Sequence, residues 1–133
     1  MKKTFLIPAI AIFTLVMFSC KKENVSDPAV TLNGTEWTGN YGYHHGAQTD
    51  YFKFQFKSSD SVIVYSTNAA NPYIGRGLWT ISGDSIRATF TYDVLLQVYK
   101  FAAKYPGSST QMLGVWTDPT DAANWGDFTL IKQ

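Results

Sequence analysis

Cysteine is almost missing from this chain of 133 residues: Cys20 stands alone, so no disulfide can form within it. Glutamate is nearly as scarce. Only Glu23 and Glu36 occur, and the aspartates fall mostly at turn positions where Asp is favoured for backbone reasons. That argues against a hydrolase built on paired carboxylates. No Gly-x-Ser-x-Gly elbow and no phosphate-binding glycine loop is present, so neither a serine hydrolase nor a nucleotide cofactor is indicated. Positive charge is not in excess: the formal net charge is +1, and no basic patch marks a nucleic-acid partner. A long apolar run is lacking as well. The best one, "TFLIPAIAIFTLVMF" at 4–18, contains Pro8 and falls short of the ~20 residues a spanning helix needs.

What is there at the start is a basic opening (Lys2, Lys3), that short apolar run, and small Ser19 before a break, which is the layout of a secretory signal peptide over 1–19. A cysteine directly after the small residue resembles the lipobox of bacterial lipoproteins, with Met17 and Phe18 where the strict motif has Leu and a small residue. The resemblance implies that Cys20 becomes the acylated N-terminus and anchors the protein to a membrane. Each buried acyl methylene contributes about 0.8 kcal/mol, so several chains would hold it firmly. A catalytic thiol so close to the apolar run would have no scaffold to lower its pKa. Lys21, in place of an Asp that would resemble an inner-membrane retention signal, points to the outer membrane, on its periplasmic face or the cell surface. Residues 20–30 then form the acylated cysteine and a polar tether, and 31–133 one small domain.

That domain keeps all four Trp, all eight Tyr and six of the nine Phe. A small domain without disulfides needs such large side chains to bury enough apolar area. Their spacing has period two. "DYFKFQFK" sets Phe52, Phe54 and Phe56 against Tyr51, Lys53, Gln55 and Lys57; "SIRATFTY" and "GDFTLIK" alternate in the same way. This is the pattern of half-buried strands. No segment of the domain has a convincing helical period, and "DVLLQVYKFAAKY" reads as a strand from its Val, Tyr and Phe content. Eight strands are expected, near 35–43, 50–57, 61–66, 75–82, 85–92, 95–104, 109–117 and 125–132, with turns at "SSD", "SGD" and "PGSS". Eight short consecutive strands predict an all-β, antiparallel up-and-down barrel, whose closure removes exposed edges; a two-sheet sandwich is the alternative.

The fragments "GTEWT", "GLWT" and "GVWT" echo one another, but the residues between them do not repeat. Trp37, Trp79 and Trp116 are therefore expected to be core residues beside glycines that let strands approach closely. Gly34 and Trp37 near the first strand, the strand count and the closing "GDFTLIK" resemble the calycins, in particular small lipocalin-like domains of bacterial lipoproteins. The resemblance spans nearly all of 33–133 and implies a barrel that binds a small ligand. "WTGNYG" also resembles the first strand of avidin-like barrels, although the full set of polar biotin contacts has no match.

In an up-and-down barrel alternate connections share an end. The expected connections at 44–49, 67–74 and 118–124 are long and the one near Asp93 short, while those at the other end are tight. One end is thus expected to be a mouth. Its candidate ligand-binding residues are Tyr43, His44, Asn71, Tyr73, Arg76 and Trp125, with His45, Gln48, Asn68, Asp118, Asp121 and Asn124 also at the rim. His44 and His45 are adjacent and point opposite ways on an extended chain, so no metal site is assigned. Arg76 could pair with an anionic ligand, or with Asp118 or Asp121. The interior is either filled by Phe52, Phe54, Phe56, Phe90 and Phe128 or just large enough for one small ligand. The expectation is a lipid-anchored, non-enzymatic envelope protein binding a small apolar or amphipathic molecule without a cofactor. The alternative is a protein-interaction module with a packed core, such as a hydrolase inhibitor or an accessory subunit of an outer-membrane complex.

Overall fold

A computed structural model describes residues 32–133; the leader, Cys20 and the tether lie outside the described residues. Eight antiparallel strands follow one another: β1 Glu36–Tyr41, β2 Asp50–Phe56, β3 Ser61–Thr67, β4 Tyr73–Ser82, β5 Ser85–Tyr92, β6 Val98–Lys104, β7 Gln111–Asp118 and β8 Asp121–Lys132. Each pairs with the next, and β1 pairs with β8 from Trp37 opposite Lys132 to Tyr41 opposite Phe128. The sheet is a closed up-and-down barrel, not a sandwich. Gly39 makes the seam possible, since a Cβ there would lie 1.9 Å from the carbonyl oxygen of Thr129.

Period two decides which residues enter the bore. Phe52, Phe54 and Phe56 of β2 are buried, as are Ile86, Ala88, Phe90 and Tyr92 of β5 and Phe128 and Leu130 of β8. The residues between them face out, where Glu36 accepts hydrogen bonds from Lys53 Nζ at 2.7 Å and Gln55 Nε2 at 2.7 Å. Trp37, Trp79 and Trp116 all belong to the core.

Toward the end where β1 begins, the bore is filled. Phe54 stacks on Phe101 with centroids 4.5 Å apart, and Phe128 meets both edge-on at 5.6 and 5.8 Å. Below them Trp37 meets Tyr105 edge-on, and Phe56 meets Trp79. Such pairs contribute about 0.5–1.5 kcal/mol each beyond area burial. Wholly buried Leu32 closes this end, with the Gly34 N–H donating to the carbonyl of Phe56 at 2.8 Å and the Thr35 hydroxyl accepting from Trp37 Nε1 at 2.8 Å.

Two connections differ from expectation. β8 starts at Asp121 rather than 125, so the β7–β8 link is a tight turn at 119–120 instead of a long loop. The Asp118 carboxylate produces it, accepting both the backbone N–H (2.8 Å) and the hydroxyl (2.7 Å) of Thr120. Conversely β6 starts at Val98 rather than 95. The β5–β6 link therefore runs over 93–97, with Leu96 at φ 51° and its N–H donating to the Tyr92 carbonyl. β4 starts at Tyr73 and β7 at Gln111, each two residues from the expected position.

Candidate functional site

At the other end the bore opens. There several of the inward residues are tyrosines, and between them lies a cavity of about 130 Å³. Rings line most of its wall as a continuous belt. Tyr43 lies 5.3 Å from Trp116 between centroids, Trp116 6.0 Å from Tyr99, Tyr99 5.4 Å from Tyr92, and Tyr92 6.3 Å from Tyr73. Tyr41 fills in beside Trp116 and Tyr43, and Phe52, 4.9 Å from Tyr41, and Phe90 form the floor. Aromatic rings give way on the β3 side, where Ser66 and Thr67 line the cavity, and at Asn124 of β8.

The phenols of Tyr41, Tyr92 and Tyr99 sit among these polar residues. Burial pushes the Tyr41 phenol up to about 12, against a hydrogen bond with Thr67 that pulls it down. Burial also pushes Tyr92 up, opposed by a hydrogen bond with Ser66, and Tyr99 up, with the charge of Asp118 acting in the same direction. Tyr41, Tyr92 and Tyr99 are therefore neutral phenols at any physiological pH.

Behind Asn124 sits a carboxylate. Asp118 is only 3 % exposed and accepts hydrogen bonds from Thr120, from Gln97 Nε2, and from Asn124 Nδ2 at 3.2 Å. The Thr120 hydroxyl and N–H, then Asn124 and Gln97, hold it below the usual carboxylate range, so it is ionised at neutral pH. Together these bonds tie the β5–β6 link to the β7–β8 turn.

Of the residues expected from sequence, Tyr43 and Tyr73 line the cup, as does Asn124. The others lie elsewhere. His44 and His45 face Trp125 edge-on, at 5.2 and 5.0 Å, on the outside of β8. His44 Nε2 lies 3.1 Å from the Ala123 carbonyl, and His45 Nδ1 lies 2.7 Å from Asp127 Oδ2. Asn71 is exposed in the β3–β4 link. Arg76 points outward and meets Asp93 at 3.2 Å rather than Asp118 or Asp121. No three His, Cys, Asp or Glu side chains gather as metal ligands among the described residues.

The rim is pinned by a close approach. Gly42 leaves β1 and runs against β8, its N–H donating to Asp127 and its carbonyl accepting from Trp116 Nε1 at 3.1 Å. A Cβ on Gly126 would lie 1.8 Å from that carbonyl oxygen, so only glycine fits. Beside the mouth, Val94, Leu95 and Leu96 are exposed, Leu96 at 78 %, and Leu95 also lines the cavity. Tyr41, Tyr92, Tyr99 and Trp116 were not singled out as site residues by sequence. The signal available was their position, inward-facing and within the last turns of strand nearest the longer connections.

No protein-family model matches the chain, and no curated protein is significantly similar to it.

Proposed function

We propose that this is a lipid-anchored outer-membrane lipoprotein whose lipocalin-like barrel holds one small amphipathic molecule in the aromatic cup. The observation that carries the reading is the cup itself: apolar ring faces around a cavity of about 130 Å³, with hydroxyls and an amide at its wall. An apolar protein cavity of roughly 150 Å³ takes a benzene-sized guest, whereas drug-sized ligands occupy about 300–1,000 Å³. The ligand is therefore one ring or one compact head group, not a long lipid. Binding rather than catalysis is supported by the chemistry of the wall, where burial raises the phenols of Tyr41 and Tyr92 and keeps them neutral. The anchor rests on Cys20 and its setting in the sequence.

Native mass spectrometry of the purified protein tests the cup. A defined extra mass is expected, lost on denaturation and lost in a Tyr43→Ala, Tyr73→Ala double variant. Retention of that mass by the double variant would place the ligand elsewhere. Acyl labelling tests the anchor: Cys20→Ala should abolish it.

A second reading, a docking module for a protein partner, is favoured by one feature, the exposed apolar run Val94-Leu95-Leu96 at the rim. Stoichiometric partner capture that is lost with Leu96→Ser but kept with Tyr73→Ala would favour it over the first.

A further inference from the structure

Charge is distributed unevenly around the cup. Among the described residues, none that lines it is a lysine, arginine or histidine. The nearby basic groups point away: Lys100, next to Tyr99 on β6, is exposed on the outer face, and Arg76 is engaged outside by Asp93. Aromatic rings, whose faces carry the negative end of a quadrupole, form a belt around the cavity, with neighbours meeting at interplanar angles of 63° to 88°.

Asp118 adds a full negative charge to that wall. Buried carboxylates are ordinarily neutralised by a cation. The donors to Asp118 are instead the Thr120 amide and hydroxyl, the Gln97 amide and the Asn124 amide, all of them uncharged. Asn124 touches the cavity on one side and Asp118 on the other, so the charge stands one hydrogen bond behind the lining. Its field reaches Tyr99, a lining residue.

From the ring belt and, among the described residues, the lack of a lining cation and of a cation paired with the Asp118 carboxylate, we infer that the cup selects a small organic cation, a methylated ammonium head group, over a neutral molecule of the same shape. The inference rests on the reading of the cup as a ligand site. A trimethylammonium group is compact enough for a cavity of about 130 Å³ and presents C–H surface to every ring around it. Cation–π attraction gains most where water is excluded, as on the Phe52 and Phe90 floor. The β3 side, where Ser66 and Thr67 interrupt the rings, accommodates a short polar tail.

The test is calorimetric titration of the purified protein with choline and with 3,3-dimethylbutan-1-ol, its neutral carbon isostere. Choline is expected to bind about tenfold more tightly, the size of a partly desolvated cation–π gain. Asp118→Asn keeps an acceptor for Thr120 while removing the charge, and should shrink that preference several-fold. Because this change touches a turn, Tyr43→Leu serves as a second variant. Tyr43 is 54 % exposed at the rim, and its loss should weaken choline more than the isostere. Equal affinity of the two ligands for the native protein would overturn the cation inference and leave the cup reading standing. Binding of neither would overturn the cation inference, and the cup reading is decided separately by the co-purified mass in native mass spectrometry.

Discussion

Toward the base of the barrel, Phe54, Phe56, Phe101 and Phe128 press together until nothing is left between them. Toward the mouth, Tyr41, Tyr92 and Tyr99 stand around about 130 Å³ of open space. Both halves are aromatic, both belong to the same strands, and both follow the same inward alternation. What separates them is the phenolic oxygen. A phenylalanine can be surrounded by other rings on all sides, whereas a buried tyrosine must keep its hydroxyl near a partner. Thr67, Ser66 and Asn124 are the polar neighbours of the Tyr41, Tyr92 and Tyr99 hydroxyls at the wall. The base has a cost of its own in Trp79, whose buried Nε1 has no hydrogen-bond partner among the described residues. The difference teaches that one residue class can both seal a bore and leave it open, according to where its polar atoms are tied.

If the base carries stability and the mouth carries binding, the largest effect should come from Phe54→Ala, at about 3–5 kcal/mol by urea denaturation, against less than about 1 kcal/mol for Tyr43→Ala. Equal losses would erase the division. Next comes Gly126→Ala, whose new methyl would strike the Gly42 carbonyl. A loss of about 1–3 kcal/mol is expected, with faster hydrogen exchange at the Gly42 and His44 amides but not at strand centres.

Alkali should find the mouth before the base. The Tyr41 phenol titrates near 10 in an unfolded chain and at about 12 here, so the unfolded state releases its proton first. Its contribution is complete below pH 10 and is lost as pH rises toward 12, with a slope on the order of 1 kcal/mol per pH unit. Tyr41→Phe should flatten that fall in a pH series of denaturation curves. The smallest effect belongs to Arg76→Ala. Both partners of the Arg76–Asp93 pair are well exposed, so the change should stay within about 0.5 kcal/mol and leave the mouth as it was.

Much of the barrel was legible because half-buried strands leave a mark at period two: β5 shows it throughout, β2 from Tyr51 on and β8 from Trp125 to Leu130. The two misplaced connections were illegible for opposite reasons. "DPTDAAN" has the composition of a loop, yet Asp118 folds Thr120 into a tight turn and frees Ala122 and Ala123 to join β8. "VLL" has the composition of a strand, yet Leu96 sits at positive φ on an exposed rim, and composition cannot say which apolar residues stay outside. In the site, Tyr43 and Tyr73 were legible from their place beside connections. Tyr41, Tyr92 and Tyr99 were not, since an inward tyrosine looks like any core filler until its neighbours are known. The burial of Asp118 depends on Gln97 and Asn124, which only the closed fold brings to it.

The plug formed by Leu32 also sets a direction in space. Cys20 precedes Leu32 by twelve positions, a reach of at most about 40 Å along the chain. The chain enters the barrel at this sealed base, at the end opposite the aromatic cup. If Cys20 is acylated as proposed, the anchor joins the barrel at the end away from the cup, so the attachment leaves the mouth unobstructed.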